Sequence, residues 1–254
     1  HGDTAKAKHG TGTYASRSAV IGGGAAIKSV RTLKNKILKV AAHLFNTDPN
    51  NIQIEDGIIS SLNTNKSINF SELAKSVYSD METLPVELRE SLNATESYDP
   101  IYGATTTATH IALVEIDKQT FNIKVLKYIV SEDCGKVINP LIVDGQVHGG
   151  VAQGIGVALL EELNYDEEGQ LTTANLVDYK IPTASEIPKI DISHLENFLP
   201  DNIGKFKGMG EGGTIGAPAA IANAVADALS EYQIEINELP INQERLYHLL
   251  KNKL

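Results

Sequence analysis

The run Gly208-Met209-Gly210-Glu211-Gly212-Gly213 sets a single carboxylate on a backbone almost bare of side chains, within a longer stretch from Lys205 to Leu229 that holds five glycines. A carboxylate that no sequence neighbour crowds can be approached directly by a ligand. If tertiary neighbours bury it, desolvation favours its protonated form and fits it to accept a proton and return it. The competing reading is an exposed turn acid. An extended lead-in before the loop and Pro218 at the start of the following helix both hold it in place, which favours the chemical reading.

Two further groups of residues could bind what such an acid acts on. Gln146 and Gln153 stand seven apart, two helical turns, so they project the same way. A carboxamide offers donor and acceptor together, which suits an uncharged heterocycle with mixed edges; a structural hydrogen-bond network would satisfy the pair equally. Around Ser16, Arg17, Ser18 and Ala19, hydroxyls, a guanidinium and the amides of a helix start combine with Gly22, Gly23 and Gly24. These are the parts of an anion cradle, or of a capped helix packed closely on a neighbour. The stretch is neither a P-loop nor a dinucleotide fingerprint, because the lysine and the glycine spacing of those motifs are missing. Cys134, the single cysteine, reads as a buried thiol rather than a nucleophile. His148 reads as surface or packing, and the histidines show no metal-ligand spacing.

The elements that must position these residues are legible from periodicity. Val30, Leu33, Ile37, Val40 and Leu44 mark a helix over 16–45, capped by Ser16 or Ser18. Asp56-Gly57 marks a hairpin, and 70–79 a short helix capped by Ser71. Two alternating strands over 110–133 turn near 118–120. Helices follow over 140–162, from Pro218 onward, and over 242–252, with a proline-punctuated extended segment at 179–188 between them. Mixed helices and antiparallel hairpins give an α+β class. The whole of 1–254 reads as one domain of two lobes, with a polar hinge at 87–102.

Composition bounds the function classes. With 32 acidic against 22 basic residues the formal charge is −10, which argues against a nucleic-acid surface, although a small phosphate-bearing cofactor remains open to local amides. One cysteine excludes an internal disulfide and a cysteine-ligated iron–sulfur cluster within this chain. No membrane-length apolar run and no signal peptide are visible, so a cytoplasmic location is expected. The opening "HGDTAKAKHG" reads as the interior of a larger domain or of a split subunit, or as a processed terminus.

Four stretches in one order, "GTGTYASRS", "SEDCGKVINPLIVDGQVHGGVAQGIGVALLEEL", "DYKIPTASEIP" and "KGMGEGGTIGAPAAIANAVADAL", resemble the C-terminal part of the molybdopterin-binding large subunit of the xanthine dehydrogenase/aldehyde oxidase/aerobic carbon monoxide dehydrogenase family. The likeness runs from Gly2 to about Leu229. It implies an oxidoreductase subunit or fragment that binds molybdenum-molybdopterin, with the cytosine dinucleotide form favoured. Glu211 would match the catalytic glutamate beside the metal. Gln146 and Gln153 would match the helix lining the pterin, Ser16, Arg17, Ser18 and Ala19 the loop gripping its phosphates or nucleotide, and Lys207 a residue beside the pterin or its phosphate. The segment before Lys207 is about one residue longer than the family pattern. No iron–sulfur cluster or FAD is expected in this chain; an N-terminal half, an iron–sulfur subunit and an FAD subunit are the implied partners, with a small-molecule substrate. Alone, the chain would be inactive. The alternative is a non-catalytic carrier or assembly module that uses the same cradle.

Overall fold

The computed structural model describes residues 3–5, 12–100, 105–198, 201–251 and 253. Most of the opening segment, with Gly10 and Thr11 of the first motif, lies outside them. The chain divides into two compact units: Ile21–Asp99, and His1–Val20 together with Pro100–Leu254. One of the two crossings, at Asp99–Pro100, falls inside the stretch read as a hinge.

The smaller unit is built on α1 (Ser18–Phe45), which begins two residues later than its periodicity suggests. Its core half buries Ile37, Val40, Ala41 and Phe45 against Ile52, Ile59, Leu73 and Val77. Each such side chain contributes about 1.5–3 kcal/mol on leaving water. Val30 belongs to the same repeat yet is 63% exposed, because the elements of this unit cover only the C-terminal half of α1. Strands β1 (Ile52–Glu55) and β2 (Ile58–Ser61) meet across Asp56 and Gly57, both at positive φ, and β3 (Ser67–Asn69) pairs with β2. Helix α2 (Phe70–Tyr78) is capped by Asn69 and not by Ser71: Asn69 and Glu72 exchange side-chain and backbone hydrogen bonds in a capping box, which satisfies two helix-start donors at once.

The larger unit holds the candidate site. Strands β4 (Thr107–Ile116) and β5 (Ile123–Asp133) form an antiparallel hairpin whose turn is pinned by the Asp117 carboxylate, which accepts from the amides of Gln119 and Thr120. After β5 comes α3 (Pro140–Leu159), capped by Asn139, and then β6 (Lys189–Leu195), which pairs with β5 in parallel. The sequence reading missed β6 and expected antiparallel pairing throughout. The helix between β5 and β6 is the crossover that a parallel pair requires. Helices α4 (Gly212–Ile215), α5 (Ala217–Ala228) and α6 (Gln243–Leu250) complete the unit. One face of the sheet, carrying Tyr128 and Val130, packs on Val147, Val151 and Ile155 of α3, Ile221 and Val225 of α5, and Leu246 of α6. Small residues let α3 and α5 meet closely: a Cβ at Gly154 would overlap that of Ala217. Among the described residues no helix is long and apolar enough to cross a membrane.

Candidate active site

A strained turn leads into α1. The Arg17 amide donates to the Tyr14 carbonyl at 3.3 Å, with Ala15 and Ser16 between them at φ 52° and 53°. A residue with a Cβ loses roughly 1–2 kcal/mol in this left-handed region. The Arg17 guanidinium lies 4.1 Å from the centre of the Tyr14 ring, a cation–π contact that closes the turn from outside. The strained backbone holds the Ser16 hydroxyl against the glycine-rich loop. Ser16 Oγ donates to Glu211 Oε2 at 2.8 Å and accepts from the Glu211 amide at 2.9 Å. One hydroxyl thus fixes both ends of the same residue.

The glycines around Glu211 are there because the loop lies directly on other atoms. A Cβ at Gly208 would overlap the Ser16 carbonyl, and one at Gly212 would overlap Oε1 of Glu132. A Cβ at Gly213 would come within 3.0 Å of Val147 Cα, and one at Gly150 within 2.8 Å of the Gly213 carbonyl carbon. At Gly216 it would stand 2.6 Å from the His110 ring. Glu211 itself is exposed, so the burial that the sequence reading allowed for does not come from this chain. The loop is rigid underneath and open above. The next apolar residue, Ile215, is 74% exposed.

The structure brings Gln146 to the same corner: a Cβ at Gly210 would lie 3.4 Å from Ser16 Oγ and 3.7 Å from Gln146 Oε1. Gln146, Gly150 and Gln153 share a stripe of α3 at i, i+4 and i+7, and Gly150 is the position that packs on Gly213. Both glutamines are exposed, and neither carboxamide is engaged by a hydrogen bond among the described residues. The structural network weighed as their alternative role is therefore not what this unit builds. Ser18, the first residue of α1, donates to Thr13 Oγ1 at 3.0 Å, and Ala19 is exposed beside it.

Lys207 sits elsewhere. Its ammonium is buried and donates to Asp133 Oδ2 at 2.6 Å, so its charge is already balanced inside the protein. Burial would raise the Asp133 carboxyl, but Lys207, the Gly135 amide and both nitrogens of Asn197 hold it at about 2. This pair ties the end of β5 to the segment that leads into the glycine loop, and the Lys207 amide donates to the Cys134 carbonyl at 2.7 Å alongside it. Cys134 is buried, and burial raises its thiol, in keeping with an inert packing role. The ring of His148 is hydrogen-bonded to the Asp144 carbonyl of its own helix at 2.8 Å.

Tyr128 and Glu132, to which sequence reasoning gave no role, lie beneath the loop with His110. Tyr128, Val130 and Glu132 alternate along β5 and so share the core face, and His110 stands across from Val130 on β4. His110 Nδ1 is 3.0 Å from the Tyr128 hydroxyl. Burial lowers the pKa of the imidazole, with a Gly212 backbone hydrogen bond pulling the other way, and burial pushes the Tyr128 phenol up. Glu132 is fully buried, and desolvation raises its carboxyl, countered in part by His194 and by Thr106. The alternation was the available signal: an acid in phase with Tyr128 and Val130 had to face the core. An ionised carboxylate with no donor costs several kcal/mol more to bury than a neutral one, so the acid form is favoured.

Among the described residues no group of three or more His, Cys, Asp and Glu could hold a metal. A cavity of about 470 Å³, lined by Phe121, Val125, Leu159, Glu162 and Ile241, opens near the far end of α3. Leu159 is thirteen positions from Gln146, about 20 Å at 1.5 Å per residue, so this hollow is separate from the Glu211 corner.

Comparison with known proteins matches the chain to a family. Residues 1–188 fit the model of the molybdopterin cofactor-binding domain. The chain is 38% identical over 251 residues to the nicotine 6-hydroxylase large subunit of Paenarthrobacter nicotinovorans, covering 98% of this chain and 31% of that one. It is 31% identical to the carbon monoxide dehydrogenase large chain of Hydrogenophaga pseudoflava, again over 98% of this chain and 31% of the relative. Among solved structures, quinoline 2-oxidoreductase from Pseudomonas putida 86 superposes with a TM-score of 0.89 at 40% identity, over 97% of this chain and 31% of that chain. The chain therefore spans about a third of the length of these relatives. By its family match and its fold, the chain belongs to the molybdopterin cofactor-binding domain family.

Proposed function

We propose that this chain forms part of the cofactor shell of a molybdenum hydroxylase and supplies its general base, Glu211. The observation that carries the reading is the convergence of Ser16, Glu211 and Gln146 on one open, glycine-bare corner, from segments 195 residues apart at the extreme. The residues fit a pterin. Two unengaged carboxamides on one helix stripe offer donors and acceptors to its ring edges, and the side-chain-free loop admits a flat group closely. Gln146 and Gln153 would line it, and the turn at Ser16, Arg17, Ser18 and Ala19 would meet its phosphate or nucleotide end, most simply as the cytosine dinucleotide. Lys207 contributes through Asp133 and the loop backbone rather than by contact.

Bound there, molybdenum supplies a redox centre that removes two electrons from the substrate. The chain's own part is the proton. Ser16 occupies Oε2 of Glu211, which leaves Oε1 to accept a proton from an attacking oxygen and later to give it up. The glycine bed fixes the carboxylate by contact beneath, so the base is positioned before substrate arrives.

The chain spans about a third of its relatives' length, and in this reading the rest of the pocket comes from outside it. The N-terminal part of the molybdenum subunit, an iron–sulfur subunit and an FAD subunit are the partners of this reading. The substrate class is a small molecule with an electron-poor carbon, a heterocycle or a carbonyl, with carbon monoxide as the outlier. Metal and nucleotide analysis of the intact complex tests it: molybdenum with cytidine monophosphate released on acid hydrolysis is expected, and a complex lacking molybdenum contradicts it.

A further inference from the structure

Among the described residues, the buried side-chain polar atoms that lack a hydrogen-bond partner are both carboxyl oxygens of Glu132 and Nδ1 of His194. They belong together. Glu132 on β5 and His194 on β6 are register partners on the core face of the sheet. His194 Nε2 lies 2.7 Å from Asp144 Oδ1 on α3, so the proton of a neutral imidazole sits there and Nδ1 is left as an acceptor. The Thr106 hydroxyl, beside Glu132 on the strand that leads into β4, has committed its proton to the Asp133 carbonyl at 2.6 Å. With His194 neutral, no donor among the described residues reaches either oxygen of the Glu132 carboxyl. An ionised carboxylate needs donors, whereas an acid hydroxyl needs one acceptor.

The same carboxyl fills the space beneath the glycine loop. It lies against Gly212, the residue after Glu211, so closely that a Cβ there would overlap Oε1. The other titratable groups nearby are His110 on β4, which touches the Gly212 backbone, and Asp133 and Cys134 next along β5. The Lys207 ammonium is taken up by Asp133, and Cys134 is a buried thiol, so neither neighbour along the chain brings a cation to Glu132.

We propose that Glu132 is a positioning residue for Glu211: a permanently uncharged carboxyl wedged under Gly212, which fixes the turn that aims Glu211 and leaves the negative charge of this corner on Glu211 alone. The inference deepens the reading of Glu211 as the base and rests on it. A second ionised carboxylate one backbone step away would repel the charge that Glu211 must carry to accept a proton. A merely apolar residue of the same size would fill the space but could offer no proton to the open Nδ1 of His194 across the sheet.

Infrared difference spectroscopy of the intact complex, wild type against Glu132→Gln at neutral pH, reads the protonation state without any turnover. A protonated-carboxyl C=O band that shifts in heavy water and vanishes in Glu132→Gln is expected. Absence of that band overturns the proposal and assigns an ionised Glu132 paired with a doubly protonated His194. Kinetics read the positioning role. Glu132→Gln, neutral and isosteric, is expected to keep kcat within about threefold, while Glu132→Ala drops kcat by about tenfold or more with KM unchanged, as a base displaced by a fraction of an ångström would. Equal losses in the two variants, or none in Glu132→Ala, overturn it; if Glu132→Ala does not fold, Glu132→Met takes its place with the same expectation of lowered kcat. Glu211→Gln in parallel separates the two claims: retained turnover there defeats the assignment of the base and leaves the infrared result on Glu132 standing.

Discussion

Ser16 and Glu211, 195 residues apart in the chain, exchange two hydrogen bonds: the serine hydroxyl donates to the glutamate carboxylate and accepts from the glutamate amide. A contact of that sequence separation forms only when the unit has closed, so the Glu211 carboxylate is set by the tertiary fold and not by its own loop. Ser16→Ala removes both bonds and little else. In the intact complex kcat is expected to fall about tenfold to a hundredfold, with molybdenum content unchanged, because a slightly misplaced catalytic group loses rate out of proportion to the displacement. Steady-state kinetics with metal analysis check it, and an unchanged kcat counts against the role given to Ser16.

The turn that presents Ser16 is strained at Ala15, whose φ is 52°. Glycine adopts that conformation freely, at an entropic loss of about 0.5–1 kcal/mol, against about 1–2 kcal/mol of strain for a residue with a Cβ. Ala15→Gly should therefore stabilise the larger unit by up to about 1 kcal/mol, seen as a higher denaturant midpoint. A clear loss of stability would show that the turn is not strained as described.

Gly150 and Gly213 touch backbone to backbone where α3 meets the loop. Gly150→Ala inserts a methyl group where the nearest atom is 2.8 Å away and is backbone, so the helix or the loop must shift. The expected loss is about 1–3 kcal/mol of stability, as for other overpacked cores, together with a fall in kcat because Glu211 moves with the loop. Gly22→Ala is the internal control, since nothing lies within 4 Å of a Cβ there.

The Asp133–Lys207 pair makes stability depend on acid. The folded carboxyl sits at about 2 against an ordinary 3.8, so its contribution is fully present above the ordinary value and is lost as pH falls through about 2. The lowering corresponds to about 2 kcal/mol at neutral pH. Asp133→Asn leaves the buried ammonium of Lys207 without its partner and should cost about 3–5 kcal/mol at pH 7. The gap between wild type and Asp133→Asn should narrow as pH falls from 4 toward 2. Chemical denaturation across that range checks the sign; a gap that widens on acidification contradicts it.

Much of this arrangement was legible along the chain, for reasons specific to each element. Asp56-Gly57 needs positive φ at two successive residues, and that requirement alone dictates the β1–β2 turn. Which glycines of α3 make close approaches was not legible: Gly150 and Gly154 meet Gly213 and Ala217, whereas a Cβ at Gly145 or Gly149 would meet nothing within 4 Å, and composition alone does not separate them. Helix caps were harder. Ser71 and Asn69 are both good caps, and only the reciprocal bond with Glu72 decides between them. Strand β6 escaped notice because its partner β5 lies across a helix, and parallel pairing leaves no turn signal between the strands. The fate of Lys207 was invisible for a similar reason: a lysine beside a glycine loop looks like a phosphate ligand until Asp133, 74 positions earlier, is seen to hold it. Glu132 stands in phase with Tyr128 and Val130, so the alternation of β5 implies its burial, but nothing along the chain shows that Gly212 lies over it.

The account stands on Glu211 as the group that takes the proton. Glu211→Gln keeps the size, the Ser16 bond to its amide and the glycine bed, and removes only the ability to accept that proton. In the intact complex, turnover is expected to fall at least about a hundredfold, within the usual range for a lost general base, while molybdenum and pterin nucleotide stay at wild-type amounts. Turnover within a few-fold of wild type with the cofactor fully loaded would contradict the assignment outright.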